Sequence, residues 1–299
     1  LLWAPPEVER ESVALEVAAK AQVIVAVMGL SPNLEGEEMP VKTNGFVGGD
    51  RSDIALPAMQ MELLRKLQAL GKPVVLVLLG GSAVALPWAA EHIPAIVETW
   101  YPGQAGGKAL ADVLFGDYNP AGRLPVTFYR SVDDLPPFDD YAMEGRTYRF
   151  FRGEPLFPFG HGLSYTTFRF EDLQIRPVRV AAGERVSVSA CVTNAGERAG
   201  DEVVQLYIRH PDASVPRPIK ELKGFKRIHL GPGECKKVTF VLHTHQLGYH
   251  DEEMRYGVHP GTVEVYVGSS SRDLPLAGRF EITGQRQVAK VFFSQVSVE

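Results

Sequence analysis

Short apolar runs without alternation recur through the first half of the chain, at residues 21–27, 73–79, 95–99 and 124–128. Pro73-Val74-Val75-Leu76-Val77-Leu78-Leu79 shows the type: it is strand-sized, and its unbroken apolar character requires cover on both faces. Helix-length segments separate these runs. Pro6 stands where a helix to about Lys20 would begin, with Val8, Val13, Val17 and Ala18 as its apolar stripe. Pro57 opens a second helix through Leu70, with Met61, Leu64, Leu67 and Leu70 on one side and Gly71 closing it. Shorter helices are predicted over 84–91 and 105–115. Strand followed by helix, repeated, implies a mostly parallel sheet with helices on both faces, because each parallel neighbour needs a crossover of helix length. Residues 1–165 are therefore expected to form an α/β domain.

Beyond Phe168 the apolar period becomes two. Val186-Ser187-Val188-Ser189-Ala190, Val203-Val204-Gln205-Leu206-Tyr207-Ile208, Val238-Thr239-Phe240-Val241-Leu242 and Thr262-Val263-Glu264-Val265-Tyr266-Val267 alternate or nearly so. Turn signals such as Asn194-Ala195-Gly196 and Gly231-Pro232-Gly233 lie between them. About seven short strands over residues 166–284 imply a β-sandwich of the immunoglobulin or fibronectin kind, and 285–299 read as a tail without a pattern. Residues 130–165 form a connector broken by Pro136, Pro137, Pro155 and Pro158. Its aromatics, among them Tyr141, Tyr148, Phe157 and Phe159, are expected to pack the two domains together, with the boundary near its end.

Composition removes several classes of function. The 299 residues allow two domains, and a net charge of −5 argues against a nucleic-acid partner, which needs a basic face. No apolar run approaches the roughly 20 residues that span a bilayer, so the chain reads as soluble, with its compartment open. Leu1-Leu2-Trp3-Ala4-Pro5-Pro6 does not have the pattern of a signal peptide. Cys191 and Cys235 have neither metal-ligand spacing nor the density of a disulfide scaffold, and a single bridge between them stays open. Gly80-Gly81-Ser82 follows a strand but lacks the spacing and lysine of a phosphate loop. His243 and His245 share a strand face without an acidic or cysteine partner at ligand spacing, so no metal is expected. His161 reads as a packing or hydrogen-bonding histidine.

The stretch with chemical content is Leu34-Glu35-Gly36-Glu37-Glu38-Met39-Pro40, followed by Gly48-Gly49-Asp50-Arg51. It begins just after the first apolar strand, where an α/β sheet presents ligands outside the carboxyl ends of its strands. Crowded carboxylates raise one another's pKa, and a raised carboxyl can donate a proton near neutral pH. A solvated acidic loop is the plain alternative. Asp50 and Arg51 read as an ion pair that holds this loop.

Several stretches together carry a resemblance: Leu34-Glu35-Gly36-Glu37-Glu38, Gly49-Asp50-Arg51, Gly71-Lys72-Pro73-Val74-Val75, Trp100-Tyr101-Pro102-Gly103-Gln104-Ala105-Gly106-Gly107, Asn119-Pro120-Ala121-Gly122-Arg123-Leu124-Pro125-Val126-Thr127-Phe128 and Phe159-Gly160-His161-Gly162-Leu163-Ser164-Tyr165-Thr166-Thr167-Phe168. In this order they resemble the carboxyl-terminal part of family 3 glycoside hydrolases, in particular bacterial β-xylosidases and β-glucosidases. The resemblance implies an (α/β)6-type sandwich domain followed by a fibronectin type III-like domain. It also implies a retaining mechanism, in which two carboxyl groups stand roughly 5 Å apart. In that family the nucleophile is an aspartate on a preceding barrel, and the acid/base is a glutamate on a loop of the sandwich domain. The family's Gly-Glu pair falls at Gly36-Glu37, which makes Glu37 the expected acid/base, with Glu35 its main rival and Glu38 third. Oligosaccharides or aryl β-glycosides ending in xylose or glucose are the implied substrates, and no cofactor is implied. The barrel and the opening strands of the sandwich domain are missing from these residues. The chain is therefore expected to be part of a longer enzyme, its barrel in the same or a separate chain, and a homodimer is possible. The alternative is a non-catalytic module for stability, dimerisation or carbohydrate attachment, which would have no need for three glutamates in one loop.

Overall fold

The computed structural model describes residues 11–36, 38–41, 43–48, 50–288 and 295–299. They fall into two compact units: one of residues up to Phe115 with 128–137 and 153–157, the other of 116–127, 138–152 and those from Pro158 onward. The first unit alternates as the apolar runs require: α1 (Glu11–Lys20), β1 (Ile24–Gly29), α2 (Ala58–Ala69), β2 (Val74–Leu79), α3 (Pro87–His92), β3 (Ala95–Glu98) and α4 (Gly106–Phe115). Its sheet has the order β1-β2-β3 and is parallel throughout, with Ile24 opposite Val74 and Val75 opposite Ala95. β2 is central, and Val74, Leu76, Val77 and Leu78 are buried in it, as an unbroken apolar run demands.

Three expectations are corrected here. β1 is covered on one face only: Ile24, Ala26 and Met28 are buried, whereas Val23, Val25 and Val27 are 53%, 46% and 56% exposed. Helix α2 lies against the strand, and an apolar run alone does not tell whether a second layer follows. The run at 124–128 does not join the parallel sheet. Leu124 exchanges backbone hydrogen bonds with Gly160 and His161 at 2.7 and 2.8 Å, and Phe128 pairs antiparallel with Phe157. Pro125, between them, has no N–H to offer a regular ladder. The short helix begins at Pro87 rather than near 84, with proline at its first position, and the predicted start at Pro6 lies outside the described residues.

The end of β1 is closed by a side chain. Gln60 of α2 accepts from the Gly29 amide at 2.7 Å and donates to the Gly29 carbonyl at 2.8 Å. Gly29 has φ +131°, and a Cβ there would sit 1.9 Å from the Leu79 oxygen, so no other residue fits.

In the second unit β4 (Phe168–Arg176), β5 (Arg179–Ala181), β6 (Arg185–Asn194), β7 (Gly200–Arg209), β8 (Glu221–Leu230), β9 (Cys235–His243), β10 (Gly261–Gly268), β11 (Leu276–Thr283) and β12 (Gln295–Val298) form two sheets. Their orders are β8-β7-β10-β11-β5 and β12-β9-β6-β4. Alternate residues of both sheets, among them Val188, Leu206, Phe240, Val265 and Phe280, meet in one core. β7 is hidden on its outer face too. Tyr207 lies edge-on to Tyr148, which stacks on Phe159, and the Gln205 amide donates to the Gly160 carbonyl at 3.1 Å. These connector aromatics therefore complete the second unit. The stretch after Gly284 contributes β12, which pairs with β9 at the sheet edge, Val298 opposite Val238. Cys191 and Cys235 are free thiols.

Asn119 and Asn194 show why polar residues recur among the motifs. Asn119 accepts from Ser164 and the Tyr165 amide and donates to the Ala199 carbonyl. Asn194 is wholly buried; it donates to the Arg198 and Leu230 carbonyls at 2.7 and 3.0 Å and accepts from Thr166 and the Gly196 amide at 2.6 and 3.0 Å. Replacing Asn194 by Ala leaves buried partners unmatched. The second unit is expected to lose on the order of 3 kcal/mol of stability, read as a lower urea midpoint at unchanged m-value.

Candidate active site

The carboxyl ends of β1, β2 and β3 lie along one edge, because parallel strands all end on the same side. The chain leaves β1 through Leu30, whose amide still donates to the Leu79 carbonyl at 2.7 Å. It then turns over Pro32 and Asn33: the Leu34 and Glu35 amides both donate to the Ser31 carbonyl, at 2.9 and 3.0 Å. This turn brings Glu35 back to the ends of the neighbouring strands. Its carboxylate accepts from the Gly81 amide at 2.8 Å, from the Ser82 hydroxyl and from the Tyr101 hydroxyl. Gly81 and Ser82 follow β2, and Tyr101 follows β3. A Cβ at Gly81 would stand 3.3 Å from the Glu35 oxygen and 3.1 Å from the Tyr101 ring, so the bare backbone lets both approach.

Arg51 braces this cradle from the second acidic stretch. Its guanidinium donates to the Ser82 hydroxyl and the Ala83 carbonyl, each at 2.8 Å, and to the Asp53 carbonyl at 3.2 Å. The expected ion pair with Asp50 is replaced by these contacts. Asp50 and Arg51 form one strand of a two-residue hairpin with Phe46 and Val47, and adjacent strand residues point to opposite sides. Arg51 thus holds the acidic loop through Ser82.

Electrostatics at this edge pull two carboxyl groups apart. Partial burial works to raise the pKa of Glu35, but Ser82, Tyr101, the Gly81 amide and the Arg51 charge together hold it below the usual glutamate value. Glu98, the last residue of β3, goes the other way: burial, opposed by the Trp100 amide and reinforced by the Glu35 charge, pushes it up to about 7. Burial and the bond to Glu35 push the Tyr101 phenol up, so it stays a donor.

Of the predicted site residues, Glu35 is therefore brought into a built cradle. Glu38 is exposed, with φ +50°, and Glu37 lies outside the described residues. Sequence reasoning passed over Ser82, Tyr101 and Glu98. The signal for Ser82 was in view: Gly80-Gly81-Ser82 at a strand end does cradle an anion, and the anion is the chain's own Glu35.

Residues 7–165 match the profile of the glycosyl hydrolase family 3 C-terminal domain. The chain belongs to glycosyl hydrolase family 3. Residues 202–271 match a fibronectin type III-like domain, in agreement with the two folds expected from the sequence. This family member is 47% identical over 252 residues to a xylan 1,4-beta-xylosidase of Xylanibacter ruminicola, a match covering 83% of this chain and 28% of that protein. It is 40% identical over 281 residues to a periplasmic beta-glucosidase of Salmonella typhimurium, covering 90% and 35%. The crystal structure of a beta-glucosidase from Kluyveromyces marxianus in complex with glucose superposes with a TM-score of 0.78 at 34% identity, over 94% of this chain and 34% of that one. The family 3 chain thus spans about a third of the length of the relatives it matches.

The sign of the Glu35 shift sets a pH dependence. A depressed carboxyl stabilises the fold above its unfolded-state pKa, and that contribution disappears as pH falls through the folded value. Tyr101→Phe and Ser82→Ala should each move the Glu35 midpoint upward, toward the usual glutamate value, in a carboxyl-carbon NMR titration. A midpoint unmoved by both substitutions would mean that these hydroxyls do not hold the carboxylate in solution.

Proposed function

We propose that this chain supplies the acid/base half of an exo-acting retaining β-glycosidase that removes terminal β-linked xylosyl or glucosyl units from oligosaccharides, with Glu37 as the acid/base. The observation that carries this reading is the pinning of the acidic loop: Glu35 ties it to the carboxyl ends of two parallel strands, the edge where such sheets place ligands. The relatives, a xylan 1,4-beta-xylosidase and a periplasmic beta-glucosidase, support the same reaction class.

The roles follow from the chemistry of a glycosidic bond. In the first step a barrel carboxylate attacks the anomeric carbon while the Glu37 carboxyl gives its proton to the departing oxygen. In the second, the Glu37 carboxylate takes a proton from the water that releases the sugar. A proton donor contributes only when held in reach of that oxygen, so a loop anchored at Glu35 serves it better than a free one. Glu35, the rival, is the less suited donor: both its oxygens accept hydrogen bonds, and its lowered pKa keeps it ionised near neutral pH. Protonation and carboxylate attack need no cofactor.

The test is Glu37→Ala in the complete enzyme, with and without azide. Turnover of an unactivated disaccharide should fall by about 10²–10⁴-fold. Hydrolysis of a nitrophenyl β-xyloside or β-glucoside, which needs little acid help, should be restored by azide with a β-glycosyl azide as product. If Glu35→Ala is the variant that yields the azide, the acid/base is Glu35 and its cradle tunes the acid. If neither variant does, the non-catalytic module is the better reading.

A further inference from the structure

Glu98 turns its carboxyl back onto its own chain, where it accepts the Trp100 amide at 2.8 Å. Trp100 has φ +53°, a left-handed conformation that a bulky residue rarely adopts, and its carbonyl accepts the Gly80 amide at 3.3 Å. Two contacts thus hold a turn that would otherwise relax. The residue that this turn delivers is Tyr101, whose hydroxyl donates to Glu35. A continuous path therefore runs from Glu98 through Trp100 and Tyr101 to the carboxylate that anchors the acidic loop.

Resting on the reading that this loop carries the acid/base, we propose that Glu98 is a positioning residue for it: its carboxyl holds the turn that aims Tyr101 at Glu35, and its charge sets how firmly Glu35 stays on Gly81 and Ser82. The groups around Glu98 decide the sign. Glu35 is the charge that acts on it, and the Trp100 and Thr99 amides favour its ionised form. Arg51, the cation of the site, acts on Glu35 and Asp53. Burial first, and then the Glu35 charge, hold Glu98 protonated up to about pH 7. Below that pH the two carboxyl groups carry one negative charge between them. Above it both carboxyl groups are charged, and the repulsion between them acts equally on both partners. Fold stability follows the same sign. Because the folded pKa is raised, the stabilising contribution of the Glu98 proton declines from the usual glutamate value up to about 7 and is level beyond it.

Glu98→Gln keeps an oxygen for the Trp100 amide and removes the charge, whereas Glu98→Ala removes both. The readout is water exchange of the Gly81 amide by NMR in this 299-residue chain, corrected for intrinsic base catalysis, because that amide is bonded to Glu35. In the wild type, protection should fall about fivefold or more between pH 6 and 8. In Glu98→Gln it should stay level over that range, and in Glu98→Ala it should be low throughout. Equal pH dependence in the wild type and Glu98→Gln overturns the role of the charge, and wild-type protection in Glu98→Ala overturns the role of the turn. The readout is independent of turnover. A failed azide rescue at both Glu37 and Glu35 would remove the catalytic reading and leave this result standing, while a level wild-type profile would remove the inference and leave the catalytic reading.

Discussion

A carboxylate drawn partly out of water must find donors, and Glu35 finds three, from two stretches that each follow a different strand. Everything that makes the edge of the first unit a candidate site depends on this contact. It requires parallel strands, because only then do the loops after β1, β2 and β3 emerge side by side. It requires Gly29 and the Gln60 clamp, which end β1 cleanly and send the chain across β2. It also requires Gly81, whose missing side chain opens the backbone amide to the carboxylate. Arg51 completes the arrangement by fixing the Ser82 hydroxyl that Glu35 accepts. The order of causes runs from apolar runs to parallel sheet, from sheet to shared edge, and from edge to anchored loop.

The second unit solves a different problem with the same means. Its alternating strands bury one face against the opposite sheet, and β7 would leave Tyr207 and Gln205 on the other face in water. The connector removes that exposure: Tyr148 and Phe159 cover the ring, and the Gly160 carbonyl meets the amide. Motif residues that look functional by composition, Asn119, Asn194 and Arg123, act as hydrogen-bonding knots. Arg123 makes a buried ion pair with Glu202 at 2.9 Å, next to the half-buried His161. Such a pair is costly to break, because either partner alone would be left as an uncompensated buried charge.

Legibility in the sequence followed the range of the interactions involved. β2, α2, α4 and the long strands of the sandwich were readable because a local period or an unbroken apolar run encodes them within a few residues. β1 read as two-sided although Val25 and Val27 are exposed, since a run of valines records hydrophobicity and not the presence of a second layer. Residues 124–128 read as a strand, and their partners lie in the connector. The cradle was the least legible part. Gly81 stands 46 positions from Glu35, and Tyr101 stands 66, so nothing in either local pattern announces the other. Crowded glutamates located the loop, but could not say which of them is tied down.

The two carboxyl groups that the structure does place at this edge constrain the third. In the proposed enzyme a sugar and a second carboxylate would come over the edge and displace water, which raises the pKa of any unsatisfied carboxyl there. Glu35 resists that rise because three donors and a nearby guanidinium favour its charged form. Glu98 has already yielded to it through burial, and its bond to the Trp100 amide ties it to its own turn. In the proposed cycle neither could alternate between donor and acceptor without loosening the loop that it helps to hold. Under the proposed assignment, the proton that must be given up in one step and recovered in the next travels on Glu37 rather than on Glu35 or Glu98, which separates the residue proposed to do the chemistry from those that aim it.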